Sequence, residues 1–239
     1  MEEKSKSRSK YQYFFNLTPF IRQSDLLIIF LLFIPFFLLG INIWGLENKP
    51  LFWQQHFGFD AILLESFHES IPGALGNFLK ITYILTGSEV TAFIVAAFLI
   101  YFTKKRYFPE ATVLAFSTLS ILLTNDNLIK PFFLRLRPED WLVEVTGRSF
   151  PSGHVMGNTL LYFYVAYILS YYYPQQRKLF YWIAGSLLFV ISISTLYVRV
   201  HWITDIIAGY AVGYVWLVVS LAVLRWMDKK YRYKLKRVG

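Results

Sequence analysis

The chain has 239 residues, 56% of them hydrophobic and 20% aromatic, and a formal charge of +9. Its mean hydropathy of +0.43 suits one compact membrane domain better than a soluble globule. With no cysteine, disulfides, thiolate chemistry, Cys-ligated zinc and iron–sulfur centres are all excluded.

Residues 1–25 form a basic N-terminal segment, and Met1–Lys10 shows no apolar core with a cleavage site, so no signal peptide is expected. A helix needs roughly 20 mostly apolar residues to cross a hydrocarbon core about 30 Å thick. Leu26–Trp44 is the first stretch to qualify. Phe59–Leu79 is interrupted by Glu65, His68, Glu69 and Pro72 and is expected to lie at the interface, as an amphipathic helix or loop. Ile81–Phe102, Ala111–Ile129, His154–Tyr173, Leu179–Val198 and a run from about Ile203 to Leu224 complete the set. The expected fold class is therefore all-α, one membrane domain over residues 1–239 built as a bundle of six transmembrane helices, with a basic tail at 225–239.

The positive charge falls at Lys4–Arg22, Lys104-Lys105-Arg106, Arg177-Lys178 and Arg225–Arg237. In a six-helix chain all four clusters lie on one side, which the positive-inside rule makes cytoplasmic. Ordinary topology thus accounts for the charge without a nucleic-acid partner, and the tail is placed beside anionic lipid headgroups. Lys49, Lys80, Lys130, Arg135, Arg137, Arg148 and Arg199 remain for the opposite, extracytoplasmic face. The rule disfavours cations there, so they need a reason to stay.

Several of them belong to three short motifs. The first is Lys130-Pro131-Phe132-Phe133-Leu134-Arg135-Leu136-Arg137-Pro138, with Asp126 four residues before the lysine and able to pair with it on a helix. Lysine as a point charge and arginine as a planar fork suit a phosphoryl group. A basic membrane border with snorkelling side chains has the same composition. The second is Ser149-Phe150-Pro151-Ser152-Gly153-His154. Ser152 is a natural N-cap, Gly153 lets the backbone approach an anion, and the helix that follows points free N–H groups at it. His154 at its mouth can donate a proton. The third runs Ser194-Thr195-Leu196-Tyr197-Val198-Arg199-Val200-His201-Trp202-Ile203-Thr204-Asp205. Its His201 and Asp205 are spaced i, i+4, one turn apart if the helix is continuous, and a carboxylate on one ring nitrogen fixes the tautomer of a nucleophilic histidine. Glu65, His68 and Glu69 look like half of a metal site, but no second cluster completes it, so they are read as structural.

Lys130 with Arg137-Pro138 matches K-x6-R-P, the second segment matches P-S-G-H, and the third matches part of S-R-x5-H-x3-D. These resemble the signature of the type 2 phosphatidic acid phosphatase superfamily, in its membrane branch, over about Ala111–Tyr214 (the motif core, 111–214). The resemblance implies a phosphoryl-accepting nucleophile at His201, an orienting carboxylate at Asp205 and a leaving-group acid at His154. It implies a phosphate cradle of Lys130, Arg137, Ser152 and Gly153, with no metal and no cofactor. One position departs from the pattern: Thr195 stands where the family has arginine. Arg199, one helical turn later, is the candidate replacement.

The function expected is hydrolysis of a phosphate monoester or diphosphate of a membrane lipid, of polyprenyl diphosphate or phosphatidate type. The reaction would pass through a phosphohistidine in an integral, multi-pass protein of the cell (inner) membrane. The partners expected are the lipid phosphate substrate and the bilayer, with no nucleic acid. The alternative is a member that binds lipid phosphate without turnover. A transporter is disfavoured because ionisable residues gather at one face and do not trace a path across.

Overall fold

The computed structural model describes residues 58–237, together with the helical positions Ile28, Leu31 and Ile34. The expected first span, Leu26–Trp44, otherwise lies outside the described residues. Helix α1 covers Gly58–Glu69 and α2 covers Gly73–Leu85. Pro72, extended at φ −61° and ψ 147°, sits immediately before α2, where its missing N–H costs nothing. The segment expected at the interface is thus α1, a tight turn and the start of α2.

Ile81–Phe102, expected as one span, is two helices. α2 ends at Leu85 and α3 covers Ser88–Lys104, the axes bent by 59°. Thr86 causes much of this. Its hydroxyl turns back onto the carbonyl oxygens of Thr82 at 2.8 Å and Tyr83 at 3.2 Å, and Gly87 then runs extended at ψ 169°. Glu89 falls in the first turn of α3, where the helix dipole favours a carboxylate.

Helix α4, Phe108–Phe133, runs four residues past the expected end at Ile129. A π turn at Asn125–Ile129 carries it into the short α-turn Lys130–Phe133, so Pro131 lies inside the helix without breaking it at Lys130. Leu134, left-handed at φ 51°, closes the end. Helix α5 covers Gly153–Tyr172, α6 covers Pro174–Tyr197 and α7 covers Ile203–Arg237. No strand occurs among the described residues.

The chain is an all-α membrane bundle. Among the described residues α4, α6 and Ile203–Met227 of α7 are long and apolar enough to cross a membrane, and α2 with α3 would make a fourth, broken span. Six such helices are not reached. The first lies outside the described residues, and α5 falls short on apolarity because it carries His154, Asn158 and a series of tyrosines. The reason is position: α5 is the central helix, packed by α4, α6 and α7, so protein and not lipid selects much of its surface. Its Val155, Met156, Leu160, Leu161 and Tyr164 are fully buried. Phe93, Phe116, Trp182 and Phe189, by contrast, point outward, as lipid-facing side chains do.

Two glycines set how closely α5 and α7 cross. A Cβ added to Gly209 would lie 2.9 Å from the Ser152 carbonyl oxygen, and one on Gly213 would lie 2.6 Å from that of Met156. The two form a small-xxx-small stripe, the pattern that lets membrane helices bring their backbones together. At one end of the bundle Tyr107 stacks on Tyr172 at 3.8 Å, and Tyr172 donates to Glu110 at 2.6 Å. The basic pairs Lys104-Lys105 and Arg177-Lys178 belong to this end. All three motifs meet at the other.

Candidate active site

Lys130 reaches the site from the turn after the π bulge. Its Nζ donates to Asp126 Oδ1 at 2.9 Å, the i, i+4 pair expected from spacing. A Cβ added to Gly153 would meet Asn125 Nδ2 at 3.2 Å and Lys130 Nζ at 4.0 Å. The lysine therefore stands beside the first residue of α5, and a side chain there would crowd Asn125. Ser152 is the N-cap, its Oγ accepting from Val155 N at 3.5 Å. The first N–H groups of α5 have no acceptor within their own helix, which makes this end receptive to an anion.

His201 and Asp205 do come together, but not on a continuous helix. α6 ends at Tyr197 and α7 starts at Ile203, so His201 lies on the connecting turn and Asp205 in the first turn of α7. Asp205 reaches back like the acidic member of a capping box: its Oδ2 accepts from Trp202 N at 2.9 Å. The same oxygen lies 3.4 Å from His201 Nδ1. Contact at Nδ1 leaves Nε2 as the outward nitrogen. Ser152 N donates to the Asp205 carbonyl at 3.0 Å, so the second and third motifs are joined through the backbone. Burial holds the His201 imidazole below its ordinary range; the Asp205 carboxylate opposes that shift, while Arg137 and Lys130 add to it.

His154 faces the same end, its ring stacked on Tyr83 with centroids 4.5 Å apart and planes 20° from parallel. Its Nε2 is buried and has no hydrogen-bond partner among the described residues. Arg137 is engaged with main-chain carbonyls: Nη1 to Val200 at 2.8 Å, Nη2 to Thr146 at 3.1 Å and Nε to Gly147 at 3.3 Å. It ties the loop after α4 to the residue before His201.

Arg199 does not share a helix face with Thr195. α6 has ended by then, and Arg199 is left-handed at φ 58°. Its Nη1 pairs with Glu65 Oε2 at 2.8 Å, and its Nε is buried without a partner among the described residues. Thr195 is buried and returns its hydroxyl to Ser192 O at 2.8 Å. His68 Nδ1 lies 3.2 Å from Tyr197 O, with the His68 ring stacked on that of Tyr197. Glu65 and His68 thus fasten α1 to the turn before His201. Among the described residues no group of three or more His, Asp or Glu side chains is placed to hold a metal ion.

One group escaped the sequence reading. Arg135, 3% exposed, donates from Nη1 to Asp205 Oδ1 and Thr204 Oγ1, both at 2.6 Å, and from Nη2 to Asp60 Oδ2 at 2.7 Å. The available signals were a carboxylate, Asp60, in an apolar run and a cation, Arg135, on the face where cations are disfavoured. Neither names its partner.

A model of the family described as PAP2 superfamily matches residues 110–231, half of the chain. The chain belongs to the PAP2 superfamily. Phosphatidylglycerophosphatase B of Bacillus subtilis (strain 168) is 31% identical over 140 residues, covering 57% of this chain and 66% of that protein. Lipid A 4'-phosphatase of Porphyromonas gingivalis is 30% identical over 161 residues, covering 61% of this chain and 67% of that protein. The chain thus spans about two thirds of the length of either relative. Its fold is similar to that of the transmembrane PAP2 type phosphatidylglycerolphosphate phosphatase from Bacillus subtilis, with a TM-score of 0.64 at 22% identity, covering 82% of this chain and 94% of that one. For Aquifex aeolicus LpxE the TM-score is 0.53 at 21% identity, over 69% and 96%.

Proposed function

We propose that this PAP2 protein is a membrane-bound phosphatase that hydrolyses the phosphate monoester or diphosphate of a lipid. The observation that carries the reading is the His201–Asp205 pair at 3.4 Å, at the same bundle end as Lys130 and the start of α5. Asp205 holds the proton on Nδ1, and Nε2 attacks phosphorus to form the phosphohistidine. His154 protonates the departing oxygen, then accepts a proton from the water that cleaves the P–N bond. Lys130, Arg137, Ser152 and Gly153 take the phosphoryl oxygens, and Arg199 supplies positive charge where Thr195 replaces the family arginine.

A lipid substrate is supported by the position of the site at one end of a membrane bundle, and by relatives named for lipid phosphates. Polyprenyl diphosphate and phosphatidate types fit the same charges as phosphatidylglycerol phosphate and lipid A phosphate. The basic loops at the opposite end support an extracytoplasmic site in the inner membrane. A second reading, binding without turnover, draws on Thr195 and on the engagement of Arg199 by Glu65. Phosphate release from a panel of lipid phosphates by the purified protein decides between them. Release by the parent and none by His201→Ala supports the enzyme; lipid binding with no release by the parent supports the binder.

A further inference from the structure

Asp60 lies outside the three motifs and Arg135 at an unspecified position within the first, yet both are buried and bonded directly into the site. Arg135 forks between two carboxylates from different parts of the chain, Asp60 of α1 and Asp205 of α7, at 2.7 and 2.6 Å. The side chains of both acids are fully buried and that of Arg135 is 4% exposed. Thr204 closes the arrangement: its N–H donates to Asp60 Oδ1 at 3.1 Å, and its hydroxyl to Asp60 Oδ2 at 2.7 Å. Both carboxylate oxygens of Asp60 are therefore committed to the residue beside Asp205 or to the cation on Asp205.

The two oxygens of Asp205 divide their work. Oδ1 meets Arg135, whereas Oδ2 faces His201 and the Trp202 amide. If Arg135 had only Asp205 as counter-ion, the pair would be neutral and little charge would remain for the imidazole. Asp60 takes the second arm of the fork, so two carboxylates share one guanidinium and the buried cluster keeps one negative charge beside His201. We infer that Asp60 and Arg135 are positioning residues that set the orientation and the charge of Asp205, and through it the reactivity of His201. The inference rests on the proposed function.

The other groups facing His201 are Arg137 from the loop, Lys130 from α4 and His154 from α5. Arg137 and Lys130 are cationic and His154 becomes so on protonation; Asp126 pairs with Lys130 at 2.9 Å, and the net negative charge of the Asp60–Arg135–Asp205 cluster is the one that meets the His201 ring directly. Asp60→Asn keeps the shape and an acceptor for Thr204 but makes the cluster neutral. It should lower kcat by about 10–10²-fold, as a small misplacement of a reacting group does, with KM changed little. It should also move the acid limb of the pH–kcat/KM profile to lower pH, because the imidazolium loses its balancing charge. Arg135→Lys keeps the charge but cannot span both carboxylates, so it should lower kcat while leaving that limb close to the parent's.

Parent, Asp60→Asn, Arg135→Lys and His201→Ala are assayed together on one lipid phosphate. A parent without phosphate release, or an active His201→Ala, sinks the underlying phosphatase reading. With those two behaving as expected, a normal kcat in Asp60→Asn overturns the positioning role alone. So does a lower kcat in Asp60→Asn with an unmoved acid limb, because the charge of the cluster would then not reach His201. If Asp60→Asn does not fold, Thr204→Val, which removes only the bridging hydroxyl, is read by the same split of kcat from KM; an unchanged kcat there also overturns the inference.

Discussion

Arg199 is bound to Glu65 at 2.8 Å, with the arginine mostly buried and the acid half-exposed. The pair joins the turn before His201 to α1, four residues after Thr195, which stands where the resembled motif carries arginine. Removing the charge by Arg199→Ala should lower kcat/KM by about 10²–10³-fold, the range for a lost transition-state donor. Thr195→Arg should restore part of that loss, the new guanidinium starting from the last turn of α6. Normal kinetics for Arg199→Ala would reduce Arg199 to a fastener of α1.

The pH–rate profile reports His201. Burial disfavours its imidazolium, so the neutral form, which the proposed nucleophilic role requires, persists to a pH below the ordinary imidazole value of about 6.5. Loss of kcat/KM through protonation of His201 should therefore occur below that value. Asp205→Asn removes the group that raises the His201 pKa and should push the acid limb lower still, while cutting kcat strongly. An acid limb above 6.5 that stays put in Asp205→Asn would assign the titration to another group.

Tyr83 lies flat on His154. Aromatic pairs of this kind contribute about 0.5–1.5 kcal/mol beyond their buried area, worth up to roughly tenfold in rate if spent on orientation. Tyr83→Phe, which keeps the ring, should stay within about twofold of the parent, and Tyr83→Leu should lose about tenfold. The loss should shrink with a nitrophenyl ester, whose leaving group needs little protonation. Equal losses with both substrates would show that the stack does not serve His154 as an acid.

The bundle's two ends differ in chemistry, and reporters can read them. Fusions near Lys104 and Gln175 should report a cytoplasmic position, and one near Glu144 the opposite side. The reverse pattern would place the phosphate site towards the cytoplasm and redirect the substrate panel to lipids exposed there.

What the sequence discloses is what the backbone keeps local. Asp126 and Lys130 are four residues apart on one helix, and their pairing follows from helical geometry. His201 and Asp205 are also four apart and also meet, although a helix start and not an unbroken helix brings them together. Ser152 caps α5 because the motif carries its own start signal. Arg135 is different. Its partners lie 75 and 70 residues away, and no periodicity links Asp60 in α1 to a loop after α4. The bend after Leu85 stays hidden for another reason: Thr86-Gly87-Ser88-Glu89 interrupts a run that is still long and apolar enough as a whole to read as one span.

The glycine-lined crossing of α5 and α7 gives the site a particular mechanical character. Ser152 and Asp205 are bonded at the apex of that crossing, and just below it the backbones touch with no side chain between them. A change in lateral pressure or bilayer thickness that tilts these helices should therefore carry the start of α5 and the His201–Asp205 pair together. Strain from the surrounding lipid should fall instead on the seams towards α4 and α1, which the long side chains of Lys130 and Arg199 cross.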